Sequence, residues 1–499
     1  MADVFDRSGA PRLLAGSLWF LFFMIVGGGV WWLLTVALSR RYGPEGYGIF
    51  NTAASLTNFA WIIIFGGVYE GLIKYGSEYL NKNRDKMLTY FASSINYLSV
   101  IGAMLCIILV LLSLLMNDLQ MRIFTITMAV FLLFSGFKDS IASIVGSLQK
   151  TDYLSLIESS RLFFVFLAGV FFISLALPVV YTPFLLLVGL FGQLLLSIYL
   201  LRNCLLKSFW FKLKDLLKQK TSFKLFKEVY IFGLFISLGM ISFNVMKSLD
   251  VLVLKLFFDY ESVGIYSVAD GYSSLLFYVT SIALPLIPAI SEAYAKKNKK
   301  LLKEYIDIAI KYSLIIGILL TILVMTAAER FVIDVYGRAF APAVLPLRIL
   351  MIGTLMLMLS YNFASVLIGI GQAKLSGKIF LGAAVQYIVS LFVLVPLFGF
   401  VGAAAALTLT GLSTMLFVPY YVHMLTKVAM LEDVWKLAVA AAATFLFLYL
   451  APKFSVWVVL ADAAVGIVAF AYLLYLTGYV SEKDLKLLRV ASTSFRLKK

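Results

Sequence analysis

The chain has 499 residues, of which 62% are hydrophobic and 14% charged, too little polar surface to cover a water-soluble globule of this size. A net charge of +16 would suit a nucleic-acid binder, but the basic residues fall between apolar runs rather than on one patch, so a membrane accounts for them better. Two cysteines at helical positions, Cys106 and Cys204, exclude a disulfide framework and point to no redox role.

The opening MADVFDRSGAPR is polar and precedes a run too long for a signal-peptide core, so nothing reads as a processed leader. Apolar runs of about 20 residues predict an all-α polytopic membrane protein with fourteen spans. They lie at 13–39, 46–72, 89–115, 123–148, 154–177, 182–203, 229–256, 263–290, 305–327, 341–368, 375–397, 401–424, 434–451 and 455–478. The first span holds Gly27, Gly28 and Gly29, which let a helix bend or two helices pack closely. Pro285 and Pro288 interrupt hydrogen bonding late in the eighth. With two-lobe symmetry these are corresponding spans, and the five residues are candidates for gating a lateral opening.

Between the sixth and seventh spans lies RNCLLKSFWFKLKDLLKQKTSFKLFKE (202–228), where Leu205, Phe209, Leu213 and Leu216 alternate with lysines. The pattern predicts an amphipathic linker lying on anionic lipids of the cytoplasmic leaflet. Thirty lysines and arginines fall on the side of the termini and seven on the other, which predicts cytoplasmic termini in a multi-pass protein of the cell membrane.

The stretch GYGIFNTAASL (46–56) has a degenerate copy, SVGIYSVADGY (262–272), at an offset of 216, and SEYLNKNRDKML (77–88) has one, SEAYAKKNKKLL (291–302), at 214. Such a repeat, entering the membrane twice from the same side, predicts two six-helix lobes related by a pseudo-two-fold axis along the membrane normal. The expected division is an N-terminal lobe (1–203), the linker (204–228), a C-terminal lobe (229–426) and two further helices with a basic tail (427–499). The last pair could dimerise, contact a partner enzyme or form a groove for a lipid tail, and the sequence leaves these open.

Ionisable residues inside spans each cost about 2.5–3.5 kcal/mol at the bilayer centre unless they face a wet cavity or a partner. They are Lys138 and Asp139, Glu158 and Arg161, Lys247 and Asp250, Asp270, Lys311 and Arg348. Glu158–Arg161 and Lys247–Asp250 are i,i+3 pairs that could neutralise themselves on one helix face. Lys138 and Asp139 are neighbours pointing about 100° apart and are not expected to satisfy each other fully. Lys138, Arg161, Lys247 and Arg348 are therefore candidates for a cationic cavity that takes a phosphate or pyrophosphate head group. Asp139, Asp250 and Asp270 are candidates for charge balance or for a coupling sodium ion or proton, and Asp250 either binds that ion or holds Lys247. Trp31, Trp32, Trp61, Tyr69 and Tyr75 suit sugar stacking or, more commonly, an interfacial belt.

His423 stands alone, no cysteine–carboxylate cluster accompanies it, and no Gly-rich phosphate loop is present. These observations predict neither a metal site, a catalytic triad, a cofactor nor ATP hydrolysis, and so a non-enzyme. The outward connections are short, the longest near 328–340, which argues against a glycan polymerase or ligase.

RYGPEGYGIF (41–50), SLDVLVLKLFFDYESVGIYSVAD (248–270), ALPLIPAISEAY (283–294) and FGFVGAAAALTLT (398–410) resemble, in order and spacing, the polysaccharide-biosynthesis or lipid-linked oligosaccharide flippase family of the multidrug/oligosaccharidyl-lipid/polysaccharide (MOP) exporter superfamily. The resemblance implies a central cavity between two lobes, alternating access, and transfer of an isoprenoid (pyro)phosphate-linked glycan to the external leaflet. Glycan-assembly enzymes are candidate partners. Asp250 matches the aspartate that such sequences carry in the seventh span. The first span has no acidic residue, unlike some drug-exporting relatives, so a cation-coupled drug or metabolite antiporter is the lesser alternative.

Overall fold

The computed structural model describes residues 10–80, 82–148, 151–208, 219–280, 286–428, 433–451 and 456–480. Among them the chain is helical with no strand. The helices are α1 (Ala10–Phe65), α2 (Val68–Tyr79), α3 (Arg84–Leu114), α4 (Leu119–Ser147), α5 (Thr151–Ser174), α6 (Phe184–Ser208) and α7 (Phe223–Phe257). They continue as α8 (Tyr260–Thr280), α9 (Ile287–Ala295), α10 (Lys299–Tyr336), α11 (Val344–Gly369), α12 (Ala373–Thr426), α13 (Val434–Leu450) and α14 (Val456–Leu476). Pro285 and most of the amphipathic linker (209–218) lie outside the described residues.

Nine helical segments among the described residues are long and apolar enough to cross a bilayer, and Phe223–Leu234 with Ser237–Phe257 would make a tenth. The difference from the expected fourteen has a physical origin. Two segments, Val26–Phe65 and Ala373–Thr426, each join a pair of expected spans across one non-helical glycine, Gly43 (φ 69°) in α1 and Gly399 (φ 59°) in α12. Only glycine takes such a φ together with the ψ found there, −173° and −135°, without strain, so the chain kinks while helical hydrogen bonding resumes at once. The 17-residue α13 is short for a span.

The expected second span is broken, turning at Gly66–Gly67 before α2. Of the expected eighth span, the described residues form α8 up to Thr280 and α9 from Ile287, with Pro288 in its first turn. Pro288 therefore starts a helix, where its missing N–H is no loss, rather than kinking one. Gly27 lies against α5, where an added Cβ would stand 3.2 Å from Leu162 Cδ1, and an added Cβ at Gly29 would meet nothing within 4 Å.

Side-chain caps fix several helix starts. Asn83 accepts from Lys86 N (3.0 Å), Asp118 from Gln120 N (2.9 Å) and Asn298 from Leu301 N (3.1 Å). Asp259 accepts from Ser262 N at 2.8 Å, and that bond holds its carboxyl below the ordinary carboxylate range. Asp259→Ala is expected to cost about 1 kcal/mol, read by thermal unfolding at neutral pH. Because the folded-state value is the lower one, the contribution is complete above the unfolded carboxylate pKa and disappears as the pH falls through the folded one. The variant and the parent should converge in acid.

The chain forms two compact units, Met1–Gly271 with Gln372–Ala406, and Tyr272–Gly371 with Leu407–Lys499. In the first, Phe65, Val68, Leu72, Tyr90, Phe91 and Ile144 pack with Phe226 and Val229 of α7 into one core. The end of the linker is tied to α3, where Ser93 Oγ accepts from Ser222 N (2.9 Å) and Tyr90 donates to Glu228 (2.9 Å).

Within the same unit α1 meets α8 backbone to backbone. A Cβ on Gly48 would stand 1.8 Å from Tyr260 O and 3.0 Å from Gly264 N, and one on Gly264 would stand 1.9 Å from Pro44 O and 3.1 Å from Gly48 N. The contact is reciprocal: 48 meets 260 as 264 meets 44, and 48 meets 264, its mate at the same offset of 216 that relates the sequence copies. A residue pairing with its own repeat mate is what a local two-fold axis produces. A second close contact follows on α2 and α7, where a Cβ on Gly233 would reach Gly67 O at 1.5 Å and one on Gly71 would reach Val229 O at 2.3 Å.

In the second unit α11 packs against the later part of α12. Thr408 Oγ1 donates to Ile349 O (3.1 Å), and Gly353 leaves room for Thr408, whose Cα an added Cβ would approach to 2.6 Å. α13 and α14 pack on each other and on α10.

Candidate functional site

Polar side chains buried among apolar helices are the informative ones, because a membrane core offers them no water. The first unit holds two groups of them. On α4, Lys138 and Asp139 are both buried and form an ion pair with each other. The neighbours thus meet, which the length of the four-carbon lysine stem allows. The second carboxylate oxygen does reach across to another helix, accepting from Trp61 Nε1 at 2.6 Å. Lys138 Nζ also lies 5.8 Å from the Trp61 ring centroid.

Around this pair stand Glu158, which accepts from Gln193 Nε2 at 3.4 Å, and Tyr69, whose hydroxyl lies within electrostatic reach of Glu158, Glu70 and Asp139. Arg161 is exposed on α5, with its stem along Gly189 of α6. Glu158's hydrogen bond thus goes to α6 rather than to Arg161 one turn away.

The second group joins α7, α8 and the first part of α12. Lys247 pairs with Asp270 on α8, so its ion pair is made across helices and not with Asp250 at i,i+3. Asp250, 1% exposed, accepts from Tyr266 Oη at 2.9 Å and from Val251 N at 2.8 Å. Tyr387 of α12, also fully buried, lies within electrostatic reach of Asp250 and Asp270.

One face of α1 connects the groups. Trp61 bonds Asp139, and Asn58, three residues earlier and on the same face, donates to Ser248 Oγ at 3.0 Å beside Lys247. Lys138, Arg161 and Lys247 thus belong to one compact unit. Arg348 belongs to the other, where its Nε donates to Met325 O at 3.4 Å. Lys311 lies there too, 5.4 Å from the Tyr479 ring centroid.

The remaining aromatics mostly pack. Trp31 meets Phe50 at 5.9 Å, and Tyr75 stacks on Tyr90 at 4.9 Å. His423 is placed against the end of α12, its Nδ1 2.9 Å from Val428 O.

Sequence reading missed Asn58, Glu70, Gln193, Tyr266 and Tyr387. Asn58 was discoverable as an amide in the middle of an apolar span. Tyr266 and Tyr387 were not, because 27 tyrosines are spread through the chain and nothing local marks the two that are buried beside Asp250.

A family model described as polysaccharide biosynthesis protein matches residues 13–294, more than half of the chain and including both polar groups apart from Tyr387. The chain belongs to the polysaccharide biosynthesis protein family. A relative, the uncharacterized membrane protein MJ1068 of Methanocaldococcus jannaschii, is 24% identical over 454 residues, 86% of this chain and 87% of that protein. Among solved structures the chain is similar to the lipid II flippase MurJ in an inward closed conformation, with a TM-score of 0.73, 15% identity and coverage of 92% of this chain and 98% of that one. It is also similar to an inward-facing multidrug resistance MATE transporter of the MOP superfamily, with a TM-score of 0.65, 14% identity and coverage of 80% and 94%. The protein is a multi-pass membrane protein, and its all-helical fold is similar to that of these transporters.

Proposed function

We propose that this protein flips an isoprenoid (pyro)phosphate-linked glycan from the cytoplasmic to the external leaflet of the cell membrane by alternating access, without catalysing a covalent step. The observation that carries the reading is the set of cations Lys138, Arg161 and Lys247 on helices of one bilayer-crossing unit in a chain of the polysaccharide biosynthesis family. Ammonium and guanidinium groups are the usual partners of phosphate oxygens. The lysines are held ready by Asp139 and Asp270, and a phosphate would displace a carboxylate from each. Asp250, whose two oxygens are held by neutral donors, is the group for a coupling sodium ion or proton. The termini lie in the cytoplasm, and the linker rests on anionic lipids.

The test is reconstitution of the full chain into liposomes with lipid-linked oligosaccharides, following leaflet accessibility with and without an ion gradient. Protein-dependent transfer supports the reading, and its absence with every lipid-linked glycan tried, beside drug-stimulated cation exchange, overturns it. Lys138→Arg is expected to keep part of the transfer and Lys138→Glu to lose it. Wild-type transfer by the folded Lys138→Ala protein would remove Lys138 from the phosphate site.

One observation favours the antiporter as a second reading. The polar groups hold Glu70, Asp139 and Glu158 against Lys138, with Arg161 exposed beside them, and Asp250 and Asp270 against Lys247, an acidic excess that would suit a cationic solute. The liposome assay separates the two.

A further inference from the structure

In the second unit, α10, α13 and α14 form a small, half-open cavity lined by Thr326 and Asp462 and otherwise by Leu323, Leu448, Val459 and alanines. Its volume is about 20 Å³, room for one water molecule or an ion of similar size. Asp462 Oδ2 is buried and has no hydrogen-bond partner. Thr326 donates its hydroxyl proton to Ile322 O at 2.8 Å, so its remaining capacity is as an acceptor. The polar side chains of the cavity therefore offer oxygen lone pairs and no donor, in a helix that is otherwise apolar enough to cross the bilayer.

The surrounding elements carry further charged groups. Next along α10 come Glu329 and Arg330, and Arg330 pairs with Asp334 at 3.8 Å. On α13 the charged residue is Lys436, which pairs with Asp433 at 2.9 Å.

We infer that Asp462 and Thr326 form a binding site for one small monovalent cation, of the size of sodium, that ties α14 to α10. A carboxylate with a hydroxyl oxygen is the hard, oxygen-only donor set such an ion takes, and one carboxylate balances one positive charge. A divalent ion would call for more acidic ligands, and among the described residues no cluster of three His, Cys, Asp or Glu exists. The cavity is too small for a lipid ammonium head group. The site gives α13 and α14, which lie outside the two sequence repeats, an ion-dependent attachment to the transporter body. It is separate from Asp250 and does not depend on which solute is carried.

The experiment uses the full chain, purified in detergent, with Asp250→Asn present throughout so that the proposed coupling residue does not respond. Sodium chloride is titrated against choline chloride at constant ionic strength and pH, and thermal unfolding is followed. The expected result is a Tm that rises with sodium and saturates, since a ligand of the folded state alone stabilises it by mass action. Adding Asp462→Asn or Thr326→Val should abolish the rise. Asp462→Leu, which continues the apolar lining, should fold and be indifferent to sodium. An undiminished sodium response in the Asp462→Asn and Asp462→Leu proteins overturns the site. So does a response to choline equal to that to sodium, or stabilisation by acidification alone that is lost in Asp462→Asn, since a protonated carboxyl would then fill the role.

Discussion

Gly264→Val is expected to reduce transport at least about tenfold, and Gly48→Val to do the same. In each case the new Cβ would stand 1.8–1.9 Å from a backbone carbonyl oxygen of the opposing helix, closer than any side-chain rotation can relieve, so α1 and α8 must separate. Overpacking of this kind costs about 1–3 kcal/mol, which a protein of this size survives, but it removes the closed position of this end of the seam. The next contact, of Gly67 and Gly71 with α7, lies 19 residues on, roughly 28 Å at 1.5 Å per residue, and so at the other end of a bilayer. Alternating access needs each end to open and close in turn, and a protein held open at one end has lost half of its cycle. A single cysteine at Asn51, half-buried in the present structure, should react faster with an impermeant maleimide in the Gly264→Val background. Gly29→Ala is the control, because its Cβ would meet nothing within 4 Å. Wild-type transport by Gly264→Val would show that the contact is packing only.

The repeat that led to this contact was readable in the sequence because it rests on turn chemistry: a glycine permits the close approach whatever the rest of the helix does. The membrane-spanning character was readable for a similar reason, since hydropathy acts over about 20 residues and tolerates local error. The ion pairs were not. Choosing Asp270 over Asp250 as the partner of Lys247 depends on how α7 and α8 rotate against each other, and i,i+3 spacing on one helix carries no information about that. For Lys138 with Asp139, the angle between Cα–Cβ directions points to a partner on another helix but says little about where a flexible four-carbon side chain goes. The helix breaks fall between these cases. Gly43 and Gly399 follow from sequence as turn residues, but that the helix resumes within a residue, so that two spans read as one, depends on the backbone found there.

The pairing of Lys247 with Asp270 sets the second large effect. Lys247→Met removes the ammonium paired with the partly buried Asp270, and Asp270→Leu removes the carboxylate paired with Lys247. Each single change is expected to destabilise by about 3–5 kcal/mol, whereas the double change removes both charges and should be close to neutral. Thermal unfolding of the three proteins measures this directly. Pairing Lys247→Met with Asp250→Leu should give no such rescue, because the ion pair in the structure is with Asp270. The double variant also isolates Asp250, whose partners Tyr266 and the Val251 amide remain in place. If Asp250 carries the coupling ion, the Lys247→Met, Asp270→Leu protein keeps flipping that responds to a sodium or proton gradient, while Asp250→Asn folds, binds lipid-linked glycan and ignores the gradient, since no carboxylate is left to distinguish loaded from empty states. Tyr266→Phe should alter the gradient response with little change in glycan binding, because it removes one donor from Asp250 and nothing from the cationic groups. The reverse pattern, a gradient response kept by Asp250→Asn and lost by the double variant, would move the coupling site to the Lys247–Asp270 pair and leave Asp250 as a structural acceptor for Tyr266.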